Sequence, residues 1–181
     1  MKKTLLIAII LLPFTVSAQK LLKPEIDRIT GDTTFSTSKE KLYLHGNYLT
    51  QQGEAVECLV MKTGRSISLI LIPQTLNEKS FFTVVQGQKA YLKLKDNSLV
   101  TLTARASRVS DADVNEAGGT VYSNGILKVP YALMSDDISK IKSSDLVFLR
   151  IETSIGNFDC DIKPKFSGVI MKEIELVTTA R

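Results

Sequence analysis

Short runs in which apolar and polar residues alternate dominate the chain from residue 25 onward. Val56, Cys58 and Val60, for example, recur at every second position, a period that places them on one face of a strand. Gly, Asn and Asp residues separate the runs and favour turns. The pattern predicts a single mainly β domain over residues 25–181: an antiparallel β-sandwich or a partly open barrel of about ten strands.

Three interruptions of this pattern predict where strands end. Ile67 to Ile72 is almost entirely apolar and indicates a strand covered on both faces, and Pro73 is predicted to end it. Residues 107–119 are polar and are predicted to form the longest connection. Asn124-Gly125 is a strong hairpin signal and predicts a turn at that point.

Two hairpins allow a prediction of register. A three-residue loop at 96–98 pairs Leu94 with Val100 and Leu92 with Leu102, whereas a two-residue loop would pair Leu92 with a threonine. In the last hairpin, a two-residue loop at Gly156-Asn157 pairs Ile155 with Phe158, Thr153 with Cys160 and Ile151 with Ile162.

The register of the last hairpin predicts an acidic patch on its outer face. Glu152 would lie opposite Asp161, and Asp159 would lie opposite Ser154. Like charges directly opposed destabilise a strand pair. Either the carboxylates hold a cation or polar ligand, or the face is solvated and balanced by Arg150 and Lys163.

Two helices are expected. Ser135 can cap a short helix that has aspartates in its first turn and lysines in its last, which suits the helix dipole. Pro164 suits the first turn of a C-terminal helix. Helical spacing of apolar residues supports it, at Phe166, Val169, Ile170, Ile174 and Val177.

The first 18 residues are typical of a secretory signal peptide. Lys2 and Lys3 precede an apolar run from Leu5 to Leu12, and Val16-Ser17-Ala18 resembles a cleavage site. The run is shorter than the roughly 20 residues that span a membrane. Export to the periplasm or the medium is therefore expected, with residues 19–24 as a flexible lead-in.

Cleavage changes the charge balance. It leaves 181 − 18 = 163 residues and removes two lysines. The remaining chain has 21 basic and 19 acidic residues. No basic run remains that would favour nucleic acid as a partner. The chain has no Trp, which lowers the expectation of a site that stacks sugars.

The two cysteines, Cys58 and Cys160, leave two interpretations open. An oxidising compartment allows them to form a disulfide. Alternatively, each is a buried thiol that behaves as a small apolar side chain.

A partial calcium-loop motif occurs at Asp111, Asp113 and Asn115. The motif then fails, because Glu116 stands where the loop needs Gly and Tyr122 stands where it needs a bidentate Glu. These residues are weak metal candidates, and a turn-rich acidic loop is the alternative interpretation.

The residues expected of an enzyme are few. His45 is the single histidine, which excludes a multi-histidine zinc site. There is no nucleophile elbow, no phosphate-binding glycine loop and no dinucleotide fingerprint, so no catalytic residue and no cofactor is predicted. A hydrolase with paired carboxylates stays open, since such pairs have no sequence signature.

Several segments together resemble those of small exported β-rich proteins of Bacteroidota-type bacteria. They are Ser17-Ala18-Gln19, Asp27 to Gly31, Tyr131 to Ser139, and the hairpin from Leu149 to Asp159. The resemblance implies export and β architecture, and it carries over no functional residues.

We therefore expect an exported, non-catalytic binding or structural protein of the cell envelope, whose partner is an envelope component not identified by the sequence. Two alternatives are a glycosidase-like hydrolase acting through paired carboxylates and an assembly subunit that pairs through exposed sheet edges.

Overall fold

The structure is a computed structural model that describes residues 19–46, 52–76, 81–117 and 120–180, with the backbone alone for 112–117 and 120–123. In it, 54% of the chain is strand and 16% is helical, which makes the protein mainly β, as predicted. In chain order the described strands are β1 (Glu25–Ile26), β2 (Thr33–Ser36), β3 (Glu40–Gly46), β4 (Gly53–Thr63), β5 (Ser66–Leu76), β6 (Thr83–Val84), β7 (Lys89–Leu94), β8 (Leu99–Thr103), β9 (Arg108–Val109), β10 (Asp111–Ala117), β11 (Thr120–Ile126), β12 (Val129–Leu133), β13 (Leu146–Thr153) and β14 (Gly156–Asp161). The helices are α1 (Ser135–Ser143) and α2 (Val169–Thr179), and a 3-10 turn at Pro164–Phe166 precedes α2.

Two larger antiparallel sheets enclose one hydrophobic core, and β6 and β9 form a third sheet of two strands. The first is a half-barrel in which β3 and β2 lie along one edge of β4, followed by β5 and then by β12 and β11. The second has the order β14-β13-β7-β8. A bridge between Ala104 and Tyr131 connects the end of β8 to β12. Together the sheets form the partly open barrel that the sequence allowed, with β3 and β14 at its two ends.

The core contains residues of both sheets and both helices. Its largest fully buried side chains are Tyr131, Phe82, Phe158, Leu42, Leu69, Leu71, Ile72, Leu92, Leu94, Leu102, Leu149 and Ile151. Ile170, Ile174 and Val177 of α2 are buried in the same cluster, so the predicted apolar stripe of this helix is confirmed. The helix begins at Val169 rather than at Pro164, because residues 164–166 form the 3-10 turn.

Pro73 does not end β5, contrary to the prediction. The strand continues to Leu76 and pairs with β4 along its whole length. On the other side, the Leu127 N–H donates to the Pro73 carbonyl at 3.1 Å. In an antiparallel pair, the same residue would normally return an N–H to Leu127. Pro73 lacks that donor, and the ladder is interrupted there, between β11 and β12.

The segment predicted as a long polar connection is mostly strand. Residues 111–117 form β10 and pair with β11, so Asn124 lies opposite Asp113 and Gly125 opposite Ala112. Asn124-Gly125 is therefore inside a strand. The hairpin signal was wrong because β11 and β12 both pair with β5 in one continuous register.

Both predicted hairpin registers are displaced by an even number of residues. In the first hairpin, Leu92 pairs with Val100 and Ala90 with Leu102. The Asp96 carboxylate accepts bonds from the Ser98 N–H and O–H, and Asn97 has a φ of 67°, which together close a four-residue loop over 95–98. The even displacement keeps the predicted apolar residues on the inner face.

The last hairpin turns at Ser154-Ile155 instead of Gly156-Asn157. Thr153 pairs with Gly156, and its hydroxyl donates to the Gly156 carbonyl at 2.6 Å. Ser154 is also held by β6, since its N–H donates to the Thr83 carbonyl and its hydroxyl accepts from the Thr83 N–H, both at 2.9 Å. Ile155 is consequently exposed rather than paired inward.

One smaller expectation also differs. The first helix is capped by Met134, whose N–H donates to the Asp137 carboxylate at 3.0 Å, and not by Ser135. Within the predicted lead-in, Leu21 bridges to Thr37, and the Gln19 side-chain amide donates to the Val169 carbonyl of α2 at 3.2 Å.

Candidate functional site

The three carboxylates of the predicted acidic patch do not converge. In the observed register, Glu152 lies opposite Asn157, Asp159 opposite Arg150 and Asp161 opposite Phe148. The predicted opposition of Glu152 and Asp161 is therefore wrong, because the turn lies nearer the start of the hairpin than expected. Each carboxylate has different surroundings.

Asp159 forms a two-point ion pair with Arg150. The guanidinium Nε and Nη2 donate to the two carboxylate oxygens at 2.6 and 2.5 Å. These hydrogen bonds lower the pKa of Asp159 and raise that of Arg150. Arg150 also lies over the Phe148 ring, 5.9 Å from its centre. Both partners are close to half exposed, so solvent screens the pair and it contributes little to stability.

Glu152 connects β13 to β7. Its carboxylate accepts the Lys89 N–H at 2.8 Å and the Tyr91 hydroxyl at 3.0 Å. The hydrogen bond to Glu152 raises the pKa of the Tyr91 hydroxyl. The Glu152 carboxylate thus links β13 to β7 through these two hydrogen bonds.

The partial calcium motif forms an extended strand. Asp111, Asp113 and Asn115 pair with Ile126, Asn124 and Tyr122 along β10. A straight, paired strand cannot wrap around a cation as a calcium loop does. Among the residues that the structure describes, no group of three or more His, Cys, Asp or Glu residues could hold a metal ion.

Cys58 and Cys160 are both free thiols and both fully buried. They belong to different sheets, on β4 and β14. Burial raises the pKa of Cys160 to about 12 and raises that of Cys58 as well. Neither thiol has the low pKa of a catalytic nucleophile.

His45 lies near the end of β3 and is exposed. Its ring stacks on that of Tyr43, with ring centres 6.5 Å apart. This ring contact is a structural role for His45, and it gives no indication of a catalytic one.

A pocket that the sequence did not predict lies between the two ends of the barrel. We call it the seam pocket; it has a volume of about 160 Å³ and is lined by Lys41, Leu42, Tyr43, Leu44, Asp161, Lys163, Lys165 and Phe166. No ladder joins β3 to β14 within the described part of the chain. The pocket therefore occupies the gap that would have to close to complete the barrel.

The local sequence explains this geometry. In β3, the register with β4 shifts between Lys41 and Tyr43, which identifies a bulge at Leu42. Bulges bend an edge strand and redirect its side chains. Beyond β14, Pro164 begins the 3-10 turn, which places Lys163 and Lys165 on either side of the chain reversal.

The seam pocket is positively charged. Three lysines and one aspartate line it. None of the three lysines forms an ion pair with another residue in the described segments. The Lys165 ammonium instead lies 4.7 Å from the centre of the Phe166 ring. Three ammonium groups against the single carboxylate of Asp161 give the pocket a net positive charge, which favours an anionic ligand.

Tyr43 gives the pocket a polar hydroxyl on a partly buried ring. Burial raises the pKa of this hydroxyl, and the nearby Cys160 and the carboxylates of Glu54 and Asp161 raise it further. Tyr43 is therefore a neutral hydrogen-bond donor at physiological pH. The electrostatic effect of Cys160 and Asp161 also indicates how close β14 lies to β3.

A comparison of the chain with protein-family models, curated proteins and solved structures finds no match. Within the described residues, neither helix has the length and apolar character needed to cross a membrane.

Proposed function

We propose that the chain is an exported, non-catalytic binding protein of the cell envelope and that it binds an anionic group in the seam pocket. The observation that carries this proposal is the set of three lysines, Lys41, Lys163 and Lys165, around one pocket without an ion-pair partner among the described residues. Export is supported by the signal-peptide pattern of residues 1–18.

The chemistry of the other polar groups supports binding over hydrolysis. Asp159 is held by Arg150, and Glu152 by Lys89 and Tyr91. A carboxylate that acts as acid or base needs to face its substrate and to change protonation readily. The paired-carboxylate hydrolase therefore gains no support from this arrangement.

The binding proposal is tested by backbone amide NMR during titration with inorganic phosphate and with glutarate. We expect shifts confined to residues 41–44 and 161–166, and we expect them to disappear in a Lys41→Gln, Lys163→Gln double variant. Lys93→Gln, on the outer face of β7, is the matched control and should leave the titration unchanged. Shifts that are scattered over the surface, or that survive in the double variant, would refute the assignment.

Assembly through sheet edges is a second candidate, because β3 and β14 each have a strand neighbour on one side only among the described residues. Sedimentation analysis over a range of protein concentrations tests it. A mass that rises with concentration favours assembly, and a constant monomer mass excludes it.

A further inference from the structure

Resting on the proposed function, we infer that the ligand of the seam pocket is an extended acidic segment of polypeptide that adds as a strand to the free edge of β3. Three independent features of the seam lead to this ligand: the direction in which the pocket runs, the unpaired backbone edges on its two sides, and the balance of charge and apolar surface.

The first feature is the course of the pocket along the strand. Lys41, Leu42, Tyr43 and Leu44 are consecutive, and all four line it. Successive side chains of a strand point to opposite faces of the sheet. A pocket that contacts four consecutive residues must therefore follow the edge of the backbone. A chain lying there would run parallel to the axis of β3.

The second feature is the availability of backbone hydrogen-bonding groups. β3 pairs with β4 alone, and β14 with β13 alone, in the described segments. By contrast, the edge of β2 is partly covered, because Leu22 donates to the Ser36 carbonyl and Ser38 to the Lys20 carbonyl. A free edge beside a pocket is the arrangement that binds peptides by strand addition.

The third feature decides between a second copy of this chain and a different partner. Pairing two copies through β3 would bring two sets of seam lysines together, and like charges disfavour such an encounter. The same lysines attract an acidic segment. Net positive charge at the edge therefore disfavours self-pairing and favours a carboxylate-bearing chain.

Apolar surface in the seam defines the rest of the ligand. Leu44 is 47% exposed, while Tyr43 and Phe166 are partly buried beside the lysines. A segment that carries both acidic and apolar residues therefore fits best, because its carboxylates can meet the lysines and its apolar side chains can meet Leu44 and the rings. An extended peptide of alternating acidic and apolar residues supplies both kinds of side chain along the seam.

The experiment measures binding of a fluorescent, end-blocked peptide of alternating Glu and Val to the mature protein by anisotropy. We expect binding that weakens as salt concentration rises. Lys41→Glu with Lys163→Glu should weaken it by about tenfold or more, and the Lys93→Glu control should not. Thermal unfolding of each variant confirms that it is folded.

A second peptide isolates the backbone contribution. The same sequence with N-methyl groups on its valines keeps its charge but loses alternate N–H donors, and it should bind about tenfold more weakly or worse. Equal binding of the two peptides would overturn strand addition. A peptide of alternating Lys and Val should not bind, and its binding would also overturn the inference.

The outcomes separate this inference from the proposed function. If phosphate shifts the seam amides but the Glu-Val peptide does not, the anion site stands and the peptide ligand is wrong. If neither probe affects the seam, both proposals fail. A concentration-dependent dimer that blocks the peptide would replace the acidic segment with a second copy of the chain.

Discussion

Glu173 is the single fully buried charged side chain among the described residues. It projects from α2 towards β4, where its Oε2 accepts a hydrogen bond from the Cys58 thiol at 3.3 Å. The Thr37 hydroxyl also bonds it, whereas its Oε1 has no partner among the described residues. Burial, together with a smaller effect of the nearby charge of Glu40, raises the pKa of Glu173 to about 8, although the hydrogen bonds from Cys58 and Thr37 lower it. The carboxyl is therefore protonated in the folded protein at neutral pH.

This raised pKa makes the stability of the protein depend on pH. In the unfolded chain the carboxyl ionises near pH 4.5, but in the folded chain it ionises only near pH 8. The unfolded state therefore loses its proton first, so the contribution of Glu173 to stability is greatest below pH 4.5, falls between the two values and levels off above pH 8. Glu173→Gln removes this titration. The melting temperature of the variant relative to wild type should rise by about 5–10 °C across that range.

Glu175→Gln is the matched control, because Glu175 lies on the same helix and is exposed. Its melting temperature relative to wild type should stay constant between the two pH values. Thermal unfolding followed by circular dichroism at several pH values measures both variants. A Glu173→Gln protein whose pH dependence matches wild type would show that Glu173 is already ionised in the fold.

At the scale of single elements, Pro73 is the clearest example of a strand interrupted on one side only. The β5 backbone is continuous, yet β11 and β12 separate opposite this residue. Pro73→Val restores the missing N–H, which then faces the Leu127 carbonyl. We expect stability to rise or to change by less than about 1 kcal/mol, and the new amide at position 73 to be protected from hydrogen exchange.

Leu71→Pro provides the contrasting case. Leu71 lies two residues away on the same strand and pairs with Val129 of β12, so its N–H points to the same side as that of position 73. A proline there should cost about 3 kcal/mol or more, measured by denaturant unfolding. Leu71→Ala separates the loss of packing from the loss of the hydrogen bond. If Leu71→Pro costs no more than Leu71→Ala, the interruption at Pro73 has another origin.

The sequence predicted which strand side chains face the core more accurately than it predicted which residues pair across neighbouring strands. Leu92, Val100 and Leu102 are buried as expected, although their pairing is displaced. Side-chain alternation has a period of two, so any even displacement preserves the inner face. The displacement depends on loop contacts such as that of Ser154 with Thr83, which link residues far apart in sequence. Local patterns contain no information about such contacts.

Because local sequence patterns contain no information about distant contacts, the sequence did not predict the seam pocket. Lys41 lies more than a hundred residues from Lys163 and Lys165, and no motif connects them. The sequence shows Lys163 and Lys165 on either side of Pro164, but lysines beside a turn are common and do not indicate a binding site. Only the curl of the two sheets brings β3 next to β14. The acidic patch was predicted instead, because its register followed from one local turn that proved to be misplaced.

At the scale of the whole molecule, the partly open barrel separates two kinds of polar group. Those inside it, including Glu173 and the two thiols, are held out of contact with solvent. Those at the gap between β3 and β14 are exposed and cationic. The core and α2 thus keep the fold together without closing the last strand pair, which leaves the seam as the place where a ligand can complete the barrel.

The two thiols test this architecture together with the expected export to an oxidising compartment. Each is fully buried, and they lie in different sheets, so we expect no disulfide even after export. A disulfide would require Cα atoms about 6 Å apart. In a thiol assay without reductant, the native protein should not react, and the denatured protein should show two thiols. Cys160→Ala should show one. Denatured wild-type protein without any reactive thiol would instead mean that β4 and β14 approach each other across the core, and the separation of the two sheets described above would be wrong.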